Sequence, residues 1–344
     1  MLGPFSQRIL TLLQLTRMAL VFTAIADSAA EILLRAAKAG ADAIPHRSYL
    51  DFLDLKCMAA MAITSVGLYG FGMSLNDIID RRRDSRLAAD RPLPSGRVRL
   101  VTAHTICAGL ALMAICGGAA YAHWTEPTGM MSLMLMAVTG MVITFYDFAG
   151  KYLVALGLLS LGVIRLLHAT VAAPQLPVVW HPLLLLDHVA LLSAVGYHWE
   201  QKRPPLEATH WWTVIGGLLG INLLIIVGIG WKLGDETLAG LPKALDMRTA
   251  LLLPAAAIVV FIAIAYVIRK RNPVSREAGQ KLMLYGLLWL IVYDAAFVAG
   301  YVSWAAGLAL LTLLPIAWWS VKFMRAWSRL VALSQRPAFQ RART

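Results

Sequence analysis

Three carboxylates, Asp77, Asp80 and Asp84, stand at steps of three and four residues. On a helix that spacing sets all three on one face. They follow an apolar run, Met58 to Leu75, nearly long enough to span a bilayer. Acids kept where a membrane helix meets water call for a partner, and the partner suited to oxygen ligands is a hard cation such as Mg2+, often itself bound to phosphate. Seven arginines surround them: Arg81, Arg82, Arg83, Arg86, Arg91, Arg97 and Arg99. Acids that hold metal, mixed with guanidinium groups that hold phosphate oxygens, imply a bound metal–diphosphate. A basic loop behind a membrane span also serves as a plain topology signal. The acid spacing, with Asn76 just ahead and Arg91-Pro92-Leu93-Pro94-Ser95-Gly96 just behind, favours chemistry.

Further candidates lie along the chain. The stretch from Gly196 to Glu207 holds Glu200 and Glu207 as oxygen donors and Lys202 and Arg203 as phosphate-neutralising cations. Spacing alone describes it equally as a charged turn between spans. Asp147 and Lys151 are four residues apart, which fits a local ion pair. It also fits a lysine placed at the membrane surface to reach a diphosphate. Arg165 sits inside an apolar span with His168 nearby; at that depth a charge needs a partner or a wet cavity. Either it meets an anionic substrate or it pairs with a buried acid, Asp187 or Asp294. Asp27, in the first span, raises the same question. Six of the eight histidines lie between His123 and His210. They form no matched pair on opposing helices of the kind that ligates haem. The tryptophans at span ends, among them Trp211, Trp212, Trp318 and Trp319, fit interface anchors.

The elements that must hold these groups are membrane helices. The chain is 59% hydrophobic and 15% charged, which excludes an ordinary soluble domain. Its net charge of +12 does not point to nucleic acid, because the basic residues lie between apolar spans. Cys57, Cys107 and Cys116 show no ligand spacing, and no cleavage site follows the first apolar segment. Apolar runs predict about ten spans, at roughly 11–34, 56–75, 101–122, 130–147, 152–173, 183–199, 211–231, 249–268, 280–300 and 303–323. No polar linker divides them, so 1–344 reads as one integral membrane domain, with a core of about 10–325 and a basic tail, 326–344. Lysine and arginine cluster in 76–100, 148–151, 200–210, 269–279 and the tail, whereas 123–129, 174–182 and 301–302 contain none. That asymmetry predicts a multi-pass protein, of the bacterial inner membrane in this reading, with the acids on the cytoplasmic side.

The segment Asn76 to Asp84 resembles the first aspartate motif, NDxxDxxxD, of the UbiA superfamily of intramembrane prenyltransferases. Arg91 to Arg97 is similar to the RPLPSG stretch that follows it in that family, and Tyr146 to Lys151 to its Tyr-x-x-x-Lys segment. The resemblance runs in order over roughly residues 10–300. It implies an all-α, polytopic fold of nine to ten helices in a ring around a central cavity. It also implies an Mg2+-dependent transfer of an isoprenyl group from an isoprenyl diphosphate to a lipophilic or aromatic acceptor. The family's second motif offers aspartates; here the matching loop offers Glu200, as in a divergent, EboC-like branch that also carries an arginine in the fifth helix.

The site expected from these readings has Asp77, Asp80 and Asp84 on Mg2+, with Asn76 assisting and Glu200 as the weaker second metal ligand. Lys151, Arg86, Arg165, Lys202 and Arg203 then neutralise the diphosphate. Two other functions fit the same sequence: a non-catalytic lipid carrier or transporter subunit, and a transferase acting on a polyprenyl phosphate.

Overall fold

The computed structural model describes residues 11, 15, 18–89, 91–232 and 245–334. Within them the chain is all helix, with no strand. The helices are α1 (Val21–Asp42), α2 (Leu55–Leu87), α3 (Leu100–Trp124), α4 (Gly129–Phe148), α5 (Val154–Ala172), α6 (Trp180–Trp199), α7 (Ala208–Lys232), α8 (Leu252–Arg271), α9 (Ser275–Tyr301), α10 (Trp304–Leu311) and α11 (Leu313–Ser334). Only Thr312 separates α10 from α11, and the pair forms a single apolar stretch from Trp304 to Ser328. The described residues thus form ten rods, as the hydropathy reading expects.

Eight of the ten are long and apolar enough to cross a membrane. The other two, α1 and α6, are long enough but more polar, and the reason is visible: they carry Asp27, Glu31, His181, Asp187 and His188. The first predicted span, 11–34, differs most. Its early part lies largely outside the described residues, and the helix continues to Asp42. The predicted termini, 1–10 and 335–344, also lie outside the described residues.

Helix α2 is the organising element. Its 33 residues measure roughly 50 Å, against about 30 Å of hydrocarbon. The Asp54 side chain caps it, accepting from the Lys56 N–H at 2.7 Å. Small residues let α3 lie close beside it: a Cβ at Gly67 would meet the Ala114 N at 2.5 Å. The surplus length carries the Asn76–Arg86 turns past the apolar stretch and keeps them helical.

Neighbouring contacts close a ring in the order α1, α2, α4, α5, α6, α9 and back to α1. Helix α5 and helix α9 are the most enclosed spans, and α7 and α8 the most exposed. Helix α1 also touches α5 across this ring.

The loop after α2 is folded. Ser95 N–H donates to the Arg91 carbonyl at 3.0 Å, Gly96 N–H to Leu93 at 3.1 Å and Val98 N–H to Pro92 at 3.1 Å. Gly96 supplies the positive φ, +73°, that this turn needs. Leu93 and Val98 are buried against Leu15, Ile78 and Ala103. The RPLPSG segment is therefore a packed plug under α2 and α3, and it aims Arg91 back at the acids.

Candidate functional site

Helical geometry decides the first result. Asp77, Asp80 and Asp84 lie on one buried face of α2, each less than a tenth exposed. That face meets the end of α4 and the short turn after it. Asn76 donates from Nδ2 to Asp147 Oδ1 at 2.7 Å. Lys151 Nζ lies 2.9 Å from Asp80 Oδ1 and 3.8 Å from Asp147 Oδ1, with its side chain buried. Arg91 pairs with Asp84 through NH1, and the same nitrogen lies 3.8 Å from Asp77 Oδ1. Four carboxylates are thus bridged in two couples, Asp80 with Asp147 by the lysine and Asp84 with Asp77 by the arginine.

Of the residues expected from sequence, Asn76, Asp77, Asp80, Asp84 and Lys151 come together. Asp147, treated in the sequence as part of a local pair, joins them and touches both Asn76 and Lys151. Arg91 was only one arginine among seven in the sequence. The signal that singles it out is its place at the head of a glycine-containing turn.

The other expected residues lie elsewhere. Arg86 is exposed. It is two residues past Asp84, which turns it roughly 200° around α2 and away from the acid face. Glu200 caps the end of α6, lies 3.2 Å from Lys202 Nζ and packs its Cγ against Gly279 of α9. Lys202 also covers the Tyr197 ring at 5.8 Å. Arg203 is exposed in the same loop.

Arg165 forms the buried pair that one of the two sequence expectations describes, but with Asp27 rather than Asp187 or Asp294. Its NH2 donates to Asp27 Oδ1 at 2.9 Å and its Nε lies 2.5 Å from Asp27 Oδ2, an ion pair that joins α5 to α1 across the ring. Asp187 is instead bonded by Asn222 Nδ2 at 2.8 Å, and Asp294 by His181 at 2.8 Å. Arg165 sits eleven residues into α5, roughly 17 Å along the helix from the Lys151 turn. It does not join the acid face.

The donor set at that face suits Mg2+ in kind: carboxylates and a carboxamide, all hard oxygens, at the water end of a span. Among the described residues, no group of three or more His, Cys, Asp or Glu is spaced to close on one metal ion. The reason is local, since the Lys151 ammonium and Arg91 guanidinium lie between the carboxylates. A cation bound there would take carboxylate oxygens from these two basic groups, which would then be free to meet phosphate oxygens.

The model of the UbiA prenyltransferase family matches residues 48–201. That segment runs from just before α2 to just after α6 and contains every residue of the acid face. Residues 48–201 are thus similar to the UbiA prenyltransferase family. The described residues are all helix with eight candidate membrane spans, as the expected polytopic fold requires. A solved structure described as digeranylgeranylglyceryl phosphate synthase superposes with a TM-score of 0.56 at 17% identity, covering 86% of this chain and 99% of that one. A UbiA homolog from Archaeoglobus fulgidus, bound to GPP and Mg2+, gives a TM-score of 0.43 at 13% identity, covering 88% and 99%. No curated protein matches the chain in sequence.

Proposed function

We propose that this protein is a UbiA-type, Mg2+-dependent prenyltransferase that moves an isoprenyl group from an isoprenyl diphosphate to a lipophilic or aromatic acceptor. The observation that carries the reading is the acid face itself. Four carboxylates and an asparagine are gathered on two helix ends, with one lysine and one arginine interleaved, inside the segment that matches the UbiA prenyltransferase family.

Asp77, Asp80 and Asp84, with Asn76, are the residues that would hold Mg2+. When bound, the ion supplies positive charge to the diphosphate as the allylic C–O bond breaks and its electron pair leaves with oxygen. Lys151 and Arg91 turn from the carboxylates to the phosphate oxygens and hold the leaving group. Asp147 fixes Asn76 through its hydrogen bond and remains as the resting partner of Lys151. Lys202 and Arg203, on the loop after α6, add positive charge at the mouth and draw the anionic donor in. The acceptor carbon or oxygen forms the new bond and loses its proton. In this reading 1–344 acts as a single unit, embedded in a bacterial inner membrane with the acid face on the cytoplasmic side. The basic loops on that side support the orientation.

Release of diphosphate from a series of isoprenyl diphosphates tests the reading, with Asp77→Asn and Asp80→Asn as controls. Mg2+-dependent release in wild type, lost in both variants, is expected. Equal release from all three rejects it. One observation favours a second reading, a non-catalytic lipid carrier: Glu200 is engaged with Lys202 rather than with the acids. A carrier binds isoprenoid lipid without releasing diphosphate, and the same assay, paired with identification of copurifying lipid, separates the two.

A further inference from the structure

Helix α11 is longer than a membrane span needs. The apolar stretch from Trp304 to Ser328 is 25 residues, roughly 37 Å, which already exceeds about 30 Å of hydrocarbon. The helix nevertheless continues to Ser334. Its outer side is patterned over this last part. Trp319, Phe323 and Leu330 are 68%, 56% and 59% exposed. At steps of four and seven residues they form one stripe along the helix. Lys322 and Arg325, three residues apart and both exposed, stand on the flank of that stripe. Ala317 and Val321, on the opposite side, are buried, Ala317 against α1 and α9.

Stacked rings join this helix to α9. The Tyr285 and Trp318 ring centres are 5.7 Å apart, with planes inclined at 31°. Lys322 Nζ lies 4.9 Å from the centre of the Trp318 ring and 5.6 Å from that of Trp319, within cation–π range of both. Helices α9 and α11 run in opposite directions. Lys281, four residues before Tyr285, and Lys322, four after Trp318, therefore lie beyond the same end of the stack. Lys281 is exposed and donates to Asn272 Oδ1. The ten rods alternate in direction, so this end is on the side of the acid face.

Charge is unbalanced here. No Asp or Glu follows Asp294 in the sequence, whereas Lys322, Arg325, Arg329, Arg336, Arg341 and Arg343 do. The facing turns of α9 carry one acid, Glu277, against Arg276 and Lys281. The cations of α11 have no carboxylate on their own helix to meet, and an anion from outside the chain suits them. The neighbouring stripe says which kind. Exposed aromatic and aliphatic side chains beside lysine and arginine, where a span leaves the hydrocarbon, match a phospholipid: acyl chain against Trp319, Phe323 and Leu330, phosphate against the cations. A zwitterionic headgroup brings its own cation back to the site. A net anionic headgroup does not.

We propose that the end of α11, with Lys281 and the Tyr285–Trp318 stack, is a binding site for an anionic phospholipid headgroup. The site is separate from the acid face and does not rest on the transferase reading.

Native mass spectrometry of the full chain, released from nanodiscs of phosphatidylcholine and phosphatidylglycerol in equal amounts, tests it by counting the lipid retained. Wild-type protein is expected to keep phosphatidylglycerol over phosphatidylcholine by about tenfold or more, given the contribution of each basic residue near a lipid surface. Lys322→Gln with Arg325→Gln is expected to remove that preference, and Lys322→Arg to keep it. Arg82→Gln with Arg86→Gln removes two other exposed cations from the same side of the membrane and is expected to leave the preference in place. No preference in wild type, or a preference that survives loss of Lys322 and Arg325, would overturn the proposal. Equal losses in the two double variants would show attraction to basic loops in general and would also overturn it.

Discussion

Lys151 Nζ stands 2.9 Å from Asp80 Oδ1 and 3.8 Å from Asp147 Oδ1, in a position where all three side chains are at most a tenth exposed. The lysine thus links the acid face of α2 to the end of α4. Removing it leaves two buried carboxylates without their shared cation, which typically costs about 3–5 kcal/mol. Lys151→Met should therefore lower the melting temperature in detergent substantially. Adding Asp80→Asn should recover part of the loss, because the double variant no longer buries both charges. Lys151→Arg should keep stability and lose donor affinity, since a planar fork does not reproduce a point charge. Thermal melts of the four proteins, with donor titrations, check each step. Additive losses in the double variant would mean that the two residues are not coupled.

Arg91 depends on a turn. The glycine at its far side has φ +73° and open space where a Cβ would stand. Gly96→Ala should therefore cost only the conformational penalty, about 1–2 kcal/mol, with no clash. Arg91→Ala removes charge-assisted bonds to Asp84 and to the donor. A loss of about 1.5–3 kcal/mol is expected, or about tenfold and upwards in KM for the donor. Steady-state kinetics separate the two. Gly96→Ala should move KM in the same direction as Arg91→Ala but less. An unchanged KM in both would remove Arg91 from donor binding.

Arg165 tests the difference between a substrate group and a tie between helices. Its ion pair with fully buried Asp27 predicts a structural effect. Arg165→Met should destabilise the protein by about 3–5 kcal/mol through the unpaired acid. Arg165→Met with Asp27→Leu should restore stability, because an apolar pair fills the same space without charge. Where the protein folds, donor KM should stay at the wild-type value. A double variant with normal stability and a much raised KM would return Arg165 to the donor site.

Much of this arrangement is readable in the sequence where the causes are local. The ten rods follow from apolar runs, and the shared face of Asp77, Asp80 and Asp84 follows from helical spacing alone. Asp147 and Lys151 were open between an ion pair and a site role; the structure contains both, because Lys151 also reaches Asp80. Arg86 lies off the acid face for an equally local reason, its angle on the helix. What spacing does not carry is pairing across the ring. Asp27 and Arg165 are 138 positions apart, and His181 is separated by 150 from Glu31 and by 113 from Asp294. Each is a single polar residue in an apolar stretch, with no local pattern to name its partner. Glu200 was placed by analogy with a second acid motif, and the packing of its Cγ on Gly279 of α9 was not visible in its neighbours along the chain.

The resident cations at the acid face lead to a distinctive response to metal. Because Lys151 and Arg91 already bridge the four carboxylates in two couples, the free protein does not depend on Mg2+ to hold them together, although it does not fully neutralise them. Chelation alone should leave the melting temperature within about 1–2 °C, while abolishing diphosphate release. Mg2+ with a non-hydrolysable isoprenyl diphosphate analogue should raise it, since a ligand at about a hundred times its Kd adds roughly 2.7 kcal/mol to the folded state. Mg2+ or analogue alone should do less than the two together, because the basic side chains leave the acids only when phosphate oxygens receive them. Asp77→Asn should remove the joint effect and keep the resting stability close to wild type, as Arg91 retains Asp84. Thermal shift measurements over the four combinations check the cycle. A large loss of stability on chelation of the ligand-free protein would show that the metal, rather than Lys151 and Arg91, holds the acids together.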